Sequence, residues 1–151
     1  EIQKAGKPRF IGVSSTAPDL VAVARMGVFD TFQIPYSALE RRHEEMIGEA
    51  AELGAGILIR GGVAKGHLAG SDRWDKFDQA ELEQLAEGMN RYEFVLRFTL
   101  THPGCHTTIV GTADLDHLKA NAATALAGPL SDETYGQAKE RLAKLGETPE
   151  K

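Results

Sequence analysis

Residues 54–66 read "GAGILIRGGVAKG". A short apolar run, Ile57-Leu58-Ile59, ends on Arg60, and glycines follow at positions 61, 62 and 66 with Lys65 among them. Arginine carries a planar, permanent cation that stacks on aromatic rings and forks onto anions. Glycine-rich backbone lets N–H groups close on a phosphate. Three other short runs end in groups of related chemistry. "FIGVS" ends at Ser14 and is followed by Ser15. "FDTFQI" carries Gln33 near its end and leads into Pro35-Tyr36. "TTIV" leads into Gly111-Thr112 and a helix opening at Asp114. Hydroxyls and a side-chain amide can bind a neutral amide on both its donor and acceptor sides, and a helix start favours an anion. Together these groups would make a site for a nicotinamide dinucleotide. Each also has a plainer reading. The serines can cap a helix, Gln33 can be structural, Gly61-Gly62 can make a turn, and Gly111-Thr112 can cap the helix that follows.

What must hold these groups is an alternation of buried strands and helices. Strands are expected at 10–14, 29–34, 57–59 and 107–110. Helices are expected at 18–26, 38–53, 79–100 with a break at Gly88-Met89-Asn90, and 114–126, with a last one capped by Ser131. Pro18 and Gly27 bound the first helix, and Gly54 stops the second. Apolar stripes run through Leu39, His43, Met46, Ile47, Ala50 and Leu53, through Leu115, Leu118, Ala122 and Leu126, and through Tyr135, Ala138, Leu142 and Leu145. Residues 60–78 read as one long loop, a length that marks function or mobility in a compact domain. The alternation means a parallel sheet covered by helices. Four β/α units fit either a small doubly wound sheet or half of an eight-stranded barrel of about 250 residues. In both, ligands bind at the carboxyl ends of the strands, and all four groups fall there.

Composition narrows the classes. A chain of 151 residues with 42% apolar and 26% charged residues is one globular domain with a core. A net charge of −5 with mixed signs argues against nucleic-acid binding. No run approaches the ~18 apolar residues of a membrane span. The opening "EIQKAGKPRF" lacks the layout of a signal peptide and an initiator Met, as expected of a segment of a longer chain. Cys105 is the single cysteine, so no internal disulfide forms and a reducing, cytoplasmic setting is expected.

The stretches "RFIGVSS", "FQIPYSALERR", "GAGILIRGGVAKG" and "TTIVGTADLDHLKAN" resemble, in order and spacing, the C-terminal half of the aldo-keto reductases. The resemblance runs from about Gly6 to Leu145. It implies an α/β fold, half of a (β/α)8 TIM barrel, with the fifth to eighth strands and their helices over residues 1–151. It also implies a nicotinamide cofactor, usually NADP with NAD possible, and a small carbonyl substrate that the parent reduces to an alcohol. Ser14 matches the serine that binds the carboxamide, and Gln33 matches the glutamine that binds the same group. Ser15 stands where many members have asparagine. Arg60 takes the place of a tyrosine that stacks on the nicotinamide ring, and a guanidinium plane can stack likewise. Gly61, Gly62, Val63, Lys65, Gly66 and Leu68 lie in the loop that passes over the pyrophosphate. Gly111 and Thr112 lie where the ribose 2′-phosphate approaches, and Asn121 matches an adenine-contacting asparagine. His117 sits where many NADPH users carry arginine, which weakens the implied choice of NADP over NAD.

In that family the catalytic aspartate, tyrosine, lysine and histidine lie on the first four strands, which this stretch lacks. Tyr36, Tyr92 and Tyr135 sit in no motif that would replace the tyrosine, and no catalytic residue is assigned. Two functions follow: the cofactor-binding segment of a reductase, or a non-catalytic cofactor-binding regulatory or interaction module. The upstream sequence would separate them. Open strand edges predict self-association of the isolated chain. "HPGCH" brings His102, Cys105 and His106 together but reads as a turn rather than a metal site. Cys105 has no oriented base beside it. Trp74 reads as a loop anchor, and Arg41-Arg42 with Glu40 and Glu44 as a solvated face.

Overall fold

The computed structural model describes residues 1–64 and 71–150, the side chains of 71–73 excepted. Strands β1 (Gly12–Ser14), β2 (Thr31–Pro35), β3 (Gly56–Arg60) and β4 (Thr107–Ile109) form one parallel sheet in the order β1-β2-β3-β4. Helices α1 (Asp19–Arg25) and α2 (Glu44–Glu52) fill the first two crossovers. The third holds α3 (Ser71–Gln79), a 3-10 turn (Leu82–Leu85) and α4 (Arg91–Thr101), and α5 (Leu115–Ala127) and α6 (Asp132–Ala143) follow β4. A doubly wound sheet reverses its strand order at a switch point. This sheet never reverses, so of the two architectures open to the sequence the barrel's winding is the one found.

Register decides which residues share a face. Ser14 pairs with Gln33, Gln33 with Leu58, Pro35 with Arg60 and Arg60 with Ile109. Side chains alternate along each strand, so Ser14, Gln33, Leu58, Arg60 and Ile109 point one way. Phe32, Ile34, Ile57 and Ile59 point the other way and are buried. They join Ile47 and Ala50 of α2, Phe94, Val95 and Phe98 of α4, and Ala138 and Leu142 of α6 in one core. Each such large side chain contributes roughly 1.5–3 kcal/mol through burial. The helices thus claim one face of the sheet and leave the other to the polar strand ends.

A buried polar network ties α6 and the residues after it to the segment following β2. Tyr36 and Tyr135 share a hydrogen bond between hydroxyls at 2.9 Å, and burial pushes both phenols up, Tyr135 to about 12. Arg41 donates from Nε to Glu44 Oε2 at 2.7 Å, and from Nη1 to the carbonyls of Lys139 at 3.0 Å and Glu147 at 2.9 Å. Lys139 also pairs with Glu44. Burial pushes the Glu44 carboxyl up, but hydrogen bonds from Arg41 and Lys139 outweigh it and leave it below its ordinary value. Arg41 and Glu44 are therefore buried, not a solvated face; only Arg42 is exposed, pairing with Glu150 at 3.0 Å. The carbonyls of Lys139 and Glu147 satisfy Arg41 donors that would otherwise need water. Removing one partner of such a buried pair costs about 3–5 kcal/mol.

Other departures are local. The span read as a long loop contains α3, whose Trp74 and Phe77 pack edge-to-face at 6.0 Å between ring centres. Trp74 is thus a helix anchor rather than a loop anchor, nearly buried, with the Arg91 guanidinium 5.3 Å from its ring centre. The expected helix over 79–100 begins in earnest at Arg91, where Asn90 Oδ1 accepts from the N–H groups of Tyr92 and Glu93, both at 3.0 Å. The helix over 38–53 is regular only from Glu44, with turns before it. On α5 the stripe of Leu115, Leu118 and Leu126 is exposed, Leu126 to 89%. Among the described residues β1 pairs only with β2 and β4 only with β3, so both outer edges of the sheet are open.

Candidate functional site

The four polar strand ends meet at the carboxyl side of the sheet, and register brings two of them into contact. Ser14 lies beside Gln33, and its hydroxyl donates to Gln33 Oε1 at 3.1 Å. That bond orients the amide and leaves its NH2 group pointed away from Ser14. The Ser15 N–H donates to the Gln33 carbonyl at 3.3 Å, extending the ladder one residue beyond β1. The serines do not cap the next helix. Pro18 stands at the N-cap of α1, and no side chain accepts a hydrogen bond there.

Arg60 sits on the same face two positions beyond the level of Gln33, between Pro35 and Ile109. Its Nε is buried and has no hydrogen-bond partner among the described residues. Leaving such a buried donor unmet costs about 1–3 kcal/mol.

The turn after Arg60 is held by two threonines that carry no mark in the sequence. Gly61 has φ 73°, a left-handed turn that glycine accepts without strain. Thr99 of α4 donates its hydroxyl to the Gly62 carbonyl at 2.8 Å. A Cβ at Gly62 would run into the Thr108 hydroxyl and lie 3.2 Å from Thr99 Cγ2. Glycine here lets the backbone lie directly on β4 and α4. Val63 is half-buried and Ala64 buried with φ 51°. Lys65, Gly66 and Leu68 lie outside the described residues.

At the fourth strand end Gly111 and Thr112 lead into α5, and Asp114 rather than Thr112 is the N-cap. Asp114 Oδ1 accepts from the N–H groups of Asp116 at 2.8 Å and His117 at 3.1 Å. The Thr112 hydroxyl oxygen accepts from the Asp114 N–H at 3.1 Å. His117 is exposed and Asn121 half-buried, one turn apart on α5. This end is separated from Ser14 by two intervening strands.

The remaining candidates are structural. His102 accepts from the Gly104 N–H at Nδ1, 3.0 Å, and donates from Nε2 to the Glu44 carbonyl at 3.1 Å. Burial lowers its pKa. His106 Nδ1 accepts from the Ile57 N–H at 2.9 Å, which fixes the start of β3. Burial pushes the Cys105 thiol up to about 11, far from a reactive thiolate. His43, also lowered by burial, accepts from the Ala17 N–H at 2.9 Å and donates to the Pro35 carbonyl at 3.2 Å. It is thus a strut beneath the strand end that carries Gln33. Tyr92, the third tyrosine, packs edge-to-face on Trp74. Among the described residues no group of three histidine, cysteine or acidic side chains is placed to hold a metal, and no helix is long and apolar enough to cross a membrane.

Comparison with known proteins agrees with the fold. The model of the Aldo/keto reductase family matches residues 1–143. An uncharacterized oxidoreductase of Bacillus subtilis (strain 168), YqkF, is 24% identical over 152 residues, covering 88% of this chain and 50% of that protein. The holo form of aldo-keto reductase AKR11C1 from Bacillus halodurans superposes with a TM-score of 0.80 at 25% identity, over 93% of this chain and 52% of that one. An aldo/keto reductase from Klebsiella pneumoniae in complex with NADP and acetate superposes with a TM-score of 0.74 at 25% identity, over 99% of this chain and 52% of that one. The chain spans about half the length of the relatives it matches, and its four parallel strands and helices are half of their (β/α)8 barrel.

Proposed function

The chain belongs to the aldo/keto reductase family, and on that premise we propose that residues 1–151 form the cofactor-holding C-terminal half of an oxidoreductase. The parent reduces a small aldehyde or ketone to its alcohol with a nicotinamide dinucleotide. One observation carries the reading: Ser14, Gln33 and Arg60 lie together on one face at the carboxyl ends of three adjacent strands.

These residues fit the nicotinamide end of the cofactor. A carboxamide has one acceptor and two donors, and the Ser14–Gln33 pair offers both kinds of partner. Arg60 gives a flat cation where a flat ring would rest. Gly61, Gly62 and Val63, pressed onto the sheet by Thr99, give bare backbone for a pyrophosphate, and Lys65, Gly66 and Leu68 would continue that cover. At the far edge Gly111, Thr112, His117 and Asn121 would meet the adenosine. The cofactor, when bound, supplies the hydride; the chain's own residues bind and orient it and shield one ring face from water. NADP is the form bound in the Klebsiella neighbour. A free thiol at Cys105 suits a reducing cytoplasm.

A second reading is a cofactor-binding module without catalysis, because the residues the family resemblance makes catalytic belong to the first four strands and none is assigned within residues 1–151. Titration of the protein with NADH and NADPH, followed by nicotinamide fluorescence, tests the common premise. Saturable binding of either is expected, weakened by Gln33→Ala. Absence of binding would remove both readings.

A further inference from the structure

Barrels of this kind hold phosphate groups between the loops after the last two strands and a helix N-terminus. At the start of α5 the groups that could hold an anion are already engaged. The Asp114 carboxylate accepts from the N–H groups of Asp116 and His117, the donors a phosphate would use. The Thr112 hydroxyl oxygen is turned back onto the Asp114 N–H. Asp116 places a second carboxylate in the first turn, with its Oδ1 on the Lys119 ammonium at 3.2 Å. No lysine or arginine occurs from Gly111 to Leu118. The backbone bonds from His117 and Asp116 hold the Asp114 carboxyl below its ordinary value, so it is ionised at neutral pH.

A 2′-phosphate brings close to two negative charges. It would compete with Asp114 for the same two N–H groups and face two carboxylates, with no arginine on residues 111–118 to receive it. A ribose 2′-hydroxyl is neutral and donates to a carboxylate, which is how an acidic residue reads the NAD ribose in other dinucleotide folds. Asp114 Oδ1 accepts both capping bonds, and Oδ2 accepts none among the described residues. We propose that this chain takes NAD(H) in preference to NADP(H), and that Asp114 is the residue that excludes the 2′-phosphate. The proposal rests on the nicotinamide-dinucleotide reading and adds to it the choice between the two forms.

Direct titration with NADH and with NADPH tests it, using the full-length parent with this chain's wild-type sequence, with Asp114→Ser and with the double change Asp114→Ser/His117→Arg. Serine keeps the helix cap and removes the charge. One unit charge about 6 Å from a doubly charged phosphate in water-like surroundings is worth roughly tenfold in affinity. The wild-type parent should therefore bind NADH at least roughly tenfold tighter, with the gap shrinking in high salt. Asp114→Ser should close most of that gap by tightening NADPH binding. The double variant should favour NADPH, because arginine forks onto phosphate. Equal or tighter binding of NADPH by the wild-type parent overturns the proposal, as does an unchanged NADH-to-NADPH ratio in Asp114→Ser. Failure of both cofactors to bind overturns the nicotinamide reading and this proposal with it.

Discussion

Replacing Gly62 by alanine probes the site's support more sharply than touching any group at its surface. The new methyl would press on the Thr108 hydroxyl and lie 3.2 Å from Thr99 Cγ2 and 3.5 Å from Thr108 Cβ. Neither neighbour yields cheaply. Thr108 Oγ1 donates to the Ile59 carbonyl at 3.2 Å, and turning it away gives up about 0.5–1.5 kcal/mol. Overpacking a tight site costs about 1–3 kcal/mol more. The variant should therefore lose about 1.5–4.5 kcal/mol, read as a lower urea midpoint at unchanged slope. Its cheapest escape is for residues 61–64 to lift from the sheet. If they cover the pyrophosphate, cofactor affinity falls with stability, tenfold for about each 1.4 kcal/mol. Thr108→Ala in the same chain removes the obstructing hydroxyl, so the double variant should recover much of the loss, a coupling above about 1 kcal/mol. A Gly62→Ala protein within about 0.5 kcal/mol of wild type, or no coupling to Thr108, would refute the packing argument.

Three further outcomes are expected. Arg60→Ala should weaken cofactor binding roughly 2- to 30-fold, the worth of a cation–π contact; Arg60→Tyr should restore most of it and Arg60→Lys less, whereas full rescue by lysine would make Arg60 a point charge. His43 and His102 are held neutral chiefly by burial. The unfolded chain therefore binds more protons below about pH 6.5, and stability should be intact above that pH and fall as acid approaches their lowered folded values. Melting temperatures from pH 8 to 5 would show the decline, and His102→Gln should flatten it; stability rising in that window would contradict the burial. The isolated chain, with two open sheet edges and the exposed leucines of α5, should dimerise or aggregate in light scattering. A monomer over a wide concentration range would mean that these surfaces need no partner.

The alternation of strands and helices was legible because its punctuation is local. Gly27 and Gly54 end their helices in left-handed turns, and Ser131 and Asn90 cap theirs, as their residue types allow. The polar strand ends were legible for a related reason. A strand of a parallel sheet buried on both faces is apolar almost throughout, so the polar residues Ser14, Gln33 and Arg60 stand out at the strand ends. Contacts between distant segments were not legible. Arg41 reads as a surface charge beside three other charged residues, and only the folded chain brings the carbonyls of Lys139 and Glu147 to it. Thr99 is an ordinary mid-helix threonine until β3 delivers Gly62 to it. Helix α3 was hidden because its strongly polar sequence follows four glycines, and two aromatic residues three apart are a thin signal for a helix.

The Arg41 guanidinium also makes one mechanical piece of two distant segments. The stretch after β2 begins three residues beyond Gln33, at Tyr36, and through Arg41 it is clamped to Lys139 of α6 and to Glu147. Glu147 is clamped a second time by Lys76 of α3, and Glu150 returns a backbone bond to the Arg42 carbonyl at 2.9 Å. Residues 144–150 thus act as a strap, drawing α3, α6 and the β2 exit together behind the amide-binding pair. Clipping that strap by a protease would leave Ser14, Gln33 and Arg60 untouched in sequence, yet it would strip two of the carbonyl and carboxylate anchors that keep their platform stiff.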